Sequence, residues 1–350
     1  MDRTNIRLSD NEKLALISNL GTMLSSGIPI LESVESMLSE VRGNPRKILE
    51  ILKKDLTDGK TISDSFFRSP NAFDPVTVNL IKAAEEAGTL DTTLKDLSIS
   101  IKKNIEFSDK VKTALTYPAF VIGVFGSVLI MILVFVIPRI ATVFSRLKVD
   151  LPLPTRMLIF LSENLISYWL VWVVILVLLV VTAGLFYKYR KREFINFLFS
   201  LPLLDKLARL IDLTRFTRSM GLLLTSGIPI TQSLELSENV ILKKEIINIV
   251  KESEKNISSG RKMSETFLKY NNLLPGIMLR ITEAGEKTGT LEKSMQELSE
   301  YFEDRVANQL KAITTLLEPV MLVVIGILVG GMMLSIIAPI YQLIGDIRTR

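Results

Sequence analysis

The chain has 350 residues, 48% of them hydrophobic, with 42 Lys and Arg against 37 Asp and Glu and a net charge of +5. It contains neither cysteine nor histidine, which excludes disulfides, thiolate chemistry and the commonest general base and transition-metal ligand. The mean hydropathy is positive and three long runs are uncharged, the pattern of an integral membrane protein with large polar parts. The small basic excess is spread over both polar blocks and forms no stripe of the kind nucleic acid requires.

The first 25 residues are polar and charged, so no cleavable signal peptide is expected. Leu14, Ile17, Leu20 and Leu24 recur at helical spacing. Ser26-Gly27-Ile28-Pro29-Ile30 fits a helix stop and restart, with Gly27 in a left-handed cap and Pro29 near the next first turn. Gly59-Lys60-Thr61 has the look of a phosphate-loop ending, but Lys54 occupies the required glycine position and no strand precedes it, so it reads as a turn. Asp74-Pro75 is a helix cap followed by proline at the first helical position. Glu85 and Glu86, ahead of Gly88-Thr89-Leu90, could hold a hard cation, do acid–base work, or end a helix at a partner surface. Leu90, Leu94, Leu97 and Ile101 then carry a helix toward the first apolar run.

That run is Ala119 to Ile137, 19 uncharged residues between Pro118 and Pro138, close to the roughly 20 needed to cross a bilayer. Residues 139–164 read as an external loop. Leu165 to Tyr187 gives a second run of 23, with Tyr168, Trp169 and Trp172 at one end and Phe186 and Tyr187 at the other, like interfacial belts. Lys188, Arg190, Lys191 and Arg192 crowd its exit, whereas Arg156 is the one basic residue in the fifteen before it. The positive-inside rule puts that exit in the cytoplasm. Alternation then makes both polar domains cytoplasmic and leaves the tail after Pro339 outside.

Past the middle run the chain repeats itself. Ser226-Gly227-Ile228-Pro229-Ile230 copies residues 26–30 at an offset of 200. Gly260-Arg261, Ser264-Glu265 and Gly289-Thr290-Leu291-Glu292 answer Gly59-Lys60, Ser63-Asp64 and Gly88-Thr89-Leu90-Asp91 at 201. Pro118 and Pro138 meet Pro319 and Pro339. Two large copies result, not a solenoid. The expected architecture is all-α: bundle 1–115, span 116–138, loop 139–164, span 165–187, bundle 188–316, span 317–340 and tail 341–350. It is a polytopic membrane protein with two homologous cytoplasmic bundles and three transmembrane helices. The long helices starting at Asp91 and Glu292 are expected to run on toward the membrane.

Comparison of the copies sharpens the candidates. Lys287 replaces Glu86, so Glu286 matches Glu85 and one acid is shared. Glu318 stands before Pro319 where copy one has Tyr117; it reads as an interfacial carboxylate at a helix N-terminus or as a contact to another subunit. The apolar runs themselves, from Ala119, from Leu165 and from Pro319, hold no Asp, Glu, Lys, Arg or His, which argues against an ion or proton pathway. Ala119, Gly123 and Ser127, and Gly326 and Gly330, form small-residue stripes suited to close helix packing, with this chain, a second copy or a foreign helix.

The Ser-Gly-Ile-Pro-Ile junction, a Gly-Glu-x-x-Gly-x-Leu segment and a proline-led span recur in each half, around an unpaired middle span. This ordered set resembles the type II secretion protein F family, the inner-membrane platform proteins of type II secretion and type IV pilus machines. The match falls on Gly27, Pro29, Gly227 and Pro229 for the junction, and on Gly285, Glu286, Gly289 and Leu291 for the segment; Ala84 replaces glycine in copy one. The chain starts almost directly at the first bundle, where many members carry an additional segment. The resemblance implies a non-enzymatic platform without cofactor. Its implied partners are a cytoplasmic hexameric assembly ATPase, pilin or pseudopilin subunits, other inner-membrane assembly proteins and lipid, with a homodimer open. The competing classes are a transporter with parallel repeats and a membrane enzyme, for which the residues offer little.

Overall fold

The computed structural model describes residues 4–147, 153–189 and 202–348. Every regular element among them is helical. In chain order these are α1 (Asp10–Ser25), α2 (Ile30–Glu40), α3 (Asn44–Thr57), α4 (Ile62–Phe67), α5 (Pro75–Ala87) and α6 (Leu90–Met131), then a π turn (Ile132–Val136) and α7 (Ile137–Leu147). There follow α8 (Leu153–Ser167), α9 (Trp169–Tyr189), α10 (Pro202–Thr225), α11 (Ile230–Ser237), α12 (Lys244–Ser258), α13 (Met263–Lys269), α14 (Gly276–Thr288) and α15 (Leu291–Arg348).

The duplication is visible element by element. The starts of α2 and α11, and of α3 and α12, differ by 200; those of α4 and α13, α5 and α14, and α6 and α15 differ by 201. The extra residue lies within α12, which has 15 residues where α3 has 14. Capping explains several of these starts. Ser9 and Glu12 form a reciprocal capping box on α1. Asp74 accepts from Thr77 N ahead of Pro75, as the Asp-Pro pair predicts. No strand precedes Gly59, which has φ 79° in the turn between α3 and α4.

Residues up to Lys110, together with those from α10 to Ala307, form one compact unit containing both repeats. Lobe one is built on Ile17, Leu20, Leu49, Leu52, Leu80 and Leu94, and its Phe66 and Phe73 rings stack at 3.7 Å. Lobe two is built on Phe216, Met220, Ile249, Phe267, Met295 and Phe302. The helical stripes read from the sequence supply these cores: Ile17 and Leu20, Leu94 and Leu97, Met295, Leu298 and Phe302 are all buried. The copies are not independent bundles. Leu223, Ile228 and Leu236 of lobe two belong to the apolar cluster of lobe one, and Leu222 and Val240 pack against it.

The second unit comprises residues from Val111 through α9 and from Asn308 onward. Pro118 lies inside α6, so it does not start a helix. Its neighbours supply a continuous helix on both sides, a situation that apolar surroundings tolerate. Pro138 is accommodated differently. The π turn immediately before it widens the backbone where the proline ring would meet the carbonyl four residues back. Ser162 of α8, itself buried, donates to the Leu133 carbonyl in that turn at 2.5 Å.

The described residues of 139–164, expected as a loop, are therefore helical: α7 and α8 fold against each other and against the π turn. Pro154 sits in the first turn of α8, where a missing N–H costs nothing. The middle apolar helix begins at Trp169, after an 80° bend between Arg156–Ser167 and Trp169–Leu179, and not at Leu165. Two helical stretches, Leu90–Val143 and Leu291–Gly331, are long and apolar enough to cross a membrane, and the bent pair is a third candidate. Arg190, Lys191 and Arg192 lie outside the described residues, as do the side chains of Phe186, Tyr187 and Pro339.

Leu223 tests the shared core. Truncation to alanine leaves a cavity at a fully buried site, and is expected to cost about 2–5 kcal/mol. Thermal unfolding of the purified chain should show a clear fall for Leu223→Ala and none for Leu268→Ala, whose side chain is exposed. Equal melting of both variants and the parent would contradict the packing described.

Candidate functional site

The shared acid of each copy has a definite structural task. Short helix α4 begins with N–H groups that need acceptors, and Glu85, from the end of α5, takes two of them: Ile62 N at 2.5 Å and Ser63 N at 3.1 Å. Glu286 does the same for α13, accepting from Met263 N at 2.6 Å and Ser264 N at 3.3 Å. Three residues after the acids, Gly88 and Gly289 end α5 and α14 in the left-handed conformation, with φ of 70° and 71°.

Gly285 completes the device in lobe two. A Cβ there would collide with Ser294 Oγ and stand 2.8 Å from Ser294 Cβ, so glycine lets α14 approach α15 closely. The Gly-Glu-x-x-Gly-x-Leu segment thus pins three helices: Gly285 sets a crossing, Glu286 caps α13 and Gly289 turns the chain into α15. A cation site on the paired acids gains no support from this arrangement. Glu85 is engaged by backbone donors, Lys287 replaces Glu86 and pairs with Glu283 at 2.6 Å, and no cluster of three potential metal ligands occurs among the described residues.

The repeated Ser-Gly-Ile-Pro-Ile junction has the same geometry in both copies but different neighbours. Gly27 and Gly227 have φ of 82° and 78°, and Ile28 N and Ile228 N reach back to Met23 and Leu223 carbonyls at 3.0 Å. Pro29 and Pro229 occupy the N-cap of the next helix, one place earlier than the first turn. Ile28 is half-buried, whereas Ile228 is buried in the lobe-one cluster. In the second copy the junction is part of the lobe interface.

That interface centres on Arg218 of α10, a residue the sequence reading did not single out. Its guanidinium donates to Asn104 Oδ1 of α6 at 2.9 Å and to Glu303 Oε2 of α15 at 2.6 Å. It also lies 5.4 Å from the centre of the Phe107 ring, within cation–π range. Lys110 joins Glu303 from α6 at 3.0 Å. Burial draws the Arg218 pKa below its usual value, and Glu303 opposes that shift. Removing one partner of such a buried pair strands the other charge. One signal did exist in the sequence: the copy-one equivalents of Arg215 and Arg218 are Ala15 and Ser18. A small residue on a solvated face has become arginine where the lobes meet. Gly21 and Gly221 were likewise missed; a Cβ at either would stand 3.2 Å from Leu94 or Gln296, on α6 or α15.

A second copy-specific cluster lies inside lobe one. Buried Asp55 accepts from Arg68 at 2.7 Å, Lys60 at 2.8 Å and Ser65 at 3.1 Å. Burial alone would raise its pKa, but Lys60, Ser65 and Arg68 outweigh it and hold the carboxyl below the ordinary value. In lobe two Asn256 takes its place and donates to Thr266 at 2.8 Å.

The remaining candidates sit in the second unit. Glu318 and Pro319 are interior to α15, which starts at Leu291, so the expected helix N-terminus at Glu318 is absent. The apolar boundary there is not a helix boundary. A Cβ on Gly123, Gly326 or Gly330 would meet nothing within 4 Å, and Ala119 and Ser127 are exposed, Ser127 bonding only back to the Gly123 carbonyl. Among the described residues, the small-residue stripes therefore make no close helix contact at those glycines. On a neighbouring face, Phe120, Val124 and Val128 of α6 and Met321, Ile325 and Val329 of α15 line an apolar groove of ≈ 330 Å³.

The glycine crossing gives a sharp test. Gly285→Ala overpacks the α14–α15 contact and is expected to cost about 1–3 kcal/mol. Adding Ser294→Gly should restore most of the loss in a double-mutant cycle of thermal unfolding. If the two changes were simply additive, the crossing would not be the cause.

The comparisons with known proteins match this architecture. The family described as "Type II secretion system (T2SS), protein F" matches twice, over residues 16–138 and 216–339, in register with the two copies. A type IV pilus assembly protein PilC from Pseudomonas aeruginosa is 28% identical, over 93% of this chain and 87% of that protein. PilC from Thermus thermophilus is also 28% identical, over 96% and 84%. Type II secretion system protein F from Pseudomonas aeruginosa is 26% identical, over 94% and 82%. With most of its length covered by two tandem matches, the chain belongs to the type II secretion system protein F family.

Proposed function

We propose that this chain is the inner-membrane platform of a type IV pilus or type II secretion machine, coupling a cytoplasmic assembly ATPase to insertion of pilin or pseudopilin subunits. The observation that carries this reading is the duplicated lobe whose last helix is itself a membrane candidate. The α6 and α15 helices start inside the lobes, at Leu90 and Leu291, and continue without a break into the stretches apolar enough to cross a bilayer. A helix of that kind passes movement along its axis without needing chemistry of its own.

Both lobes lie on one side of the membrane in this reading, and that side is the cytoplasm. What supports the shared side is the packing of Leu223, Ile228 and Leu236 into the lobe-one cluster; a bilayer cannot separate groups that share a core. An even number of crossings must then link the lobes, and α9 supplies the return. Lys188 and the basic residues that follow favour a cytoplasmic exit for α9. The groove between Phe120 and Val329, and the open faces at Gly123 and Gly326, leave room for an incoming apolar helix. Work comes from the partner ATPase in this scheme, since the Gly59-Lys60-Thr61 turn carries no phosphate-binding loop.

Three measurements test the role together. The purified full-length chain should hydrolyse no ATP above background yet co-purify with the cytoplasmic assembly ATPase of its own cell, and its loss should abolish filament assembly. Intact assembly in its absence, or no association with that ATPase, would overturn the proposal.

A further inference from the structure

The space between the lobes holds two arginines and several side-chain hydrogen-bonding groups without a partner among the described residues. A cavity of ≈ 340 Å³ opens beside Arg218, bounded by α6, α10, the start of α5 and the residues after α11. Arg215 and Arg218 line it from α10; Ser100, Asn104 and Ser108 line it from α6. Arg218 is satisfied by Asn104 Oδ1 and Glu303. Arg215 is not: half-buried, it makes no hydrogen bond or ion pair with the described residues. The Asn104 amide nitrogen and the Ser100 and Ser108 hydroxyls also have no partner among the described residues.

The acids nearby are otherwise engaged. Asp74, which lines the cavity, accepts from Thr77 N and Thr77 Oγ1 as the cap of α5 and lies 3.8 Å from Lys13. Asp212, attracted by Arg215, is buried: its Oδ2 accepts from Leu242 N and Lys243 N at the start of α12, while its Oδ1 has no hydrogen-bond partner among the described residues and does not line the cavity. Copy one has no such cluster: Ala15 and Ser18 hold the equivalent places. An unpaired guanidinium beside a second one, in a partly desolvated cavity, is an unfavourable arrangement until an anion fills it. A planar fork of N–H donors together with hydroxyls and an amide suits a phosphate oxyanion.

We infer that the cavity between the lobes is a binding site for a small phosphate-bearing anion, held by Arg215 with Asn104, Ser100 and Ser108. Its volume fits the lower range of small-molecule sites, from pyrophosphate to a nucleotide. An occupant would bridge α10 of lobe two to α6 of lobe one, and so stiffen the lobe contact close to where α6 leaves the first unit at Lys110. The site stands independently of the platform role.

The test uses the full-length chain in detergent, titrated calorimetrically with pyrophosphate and, separately, with ATP. Saturable one-to-one binding of pyrophosphate is expected, weakened at least about tenfold by Arg215→Ala, as loss of a charge-assisted contact implies, and partly kept by Arg215→Lys. Arg42→Ala, at an exposed site elsewhere, should bind like the parent. Binding of both probes extends the ligand to nucleotides; binding of pyrophosphate alone restricts it to small phosphates. Absence of saturable binding by either probe, or equal weakening by Arg42→Ala, overturns the proposal. So does unchanged affinity in Arg215→Ala with the parent melting temperature.

Discussion

The lobes of this protein share apolar side chains, and the rest of the architecture follows from that. Leu223, Ile228 and Leu236 come from the second repeat and are buried in the cluster of the first. Each such burial is worth about 1.5–3 kcal/mol, and water or lipid between the lobes would forfeit all of it. A polypeptide that keeps this contact while crossing a bilayer after the first lobe must cross back before the second. In the proposed topology the unpaired apolar helix α9 is that return crossing.

Duplication followed by docking also explains where the copies differ. One cap and one turn are the same in both: Glu85 and Glu286 each hold the start of a short helix, and Gly88 and Gly289 each turn into the long one. These features stabilise a lobe regardless of what surrounds it. Besides the Asp55 cluster inside lobe one, differences occur where one lobe meets the other. Ala15 and Ser18 correspond to Arg215 and Arg218, and Ile228 is buried where Ile28 is half-buried. Arg218 ties α10 to both long helices through Asn104 and Glu303, so the contact joins the two elements that continue into apolar sequence.

Much of this was legible in the sequence, because repeats, caps and helical stripes are local. The stripe from Leu291 to Phe302 marks a buried face whatever it packs on, and Asp74-Pro75 begins a helix through its own chemistry. What packs on each face was not legible, since a 3.6-residue period names no partner. Prolines misled in the apolar runs. Pro118 and Pro319 looked like boundaries but sit within α6 and α15, where the surrounding helix overrides the local break. Pro138 kept the helix by widening it into a π turn, with Ser162 bonded to the Leu133 carbonyl. The segment after it folded into helices because its apolar residues found that turn to pack against. Sequence identified Glu85 and Glu286, but their role as caps of α4 and α13 appears only when residues 22 and 23 apart are brought together.

We propose that the two lobes meet on the cytoplasmic face, and the absence of native cysteine makes this directly testable. Asn79 and Gln232 meet across the interface, the Gln232 Nε2 donating to Asn79 Oδ1 at 3.4 Å. Asn79→Cys with Gln232→Cys should be joined within one chain by a short membrane-permeant bismaleimide in intact cells, and prior treatment with an impermeant thiol reagent should not prevent it. Failure to cross-link, or complete protection by the impermeant reagent, would contradict the account.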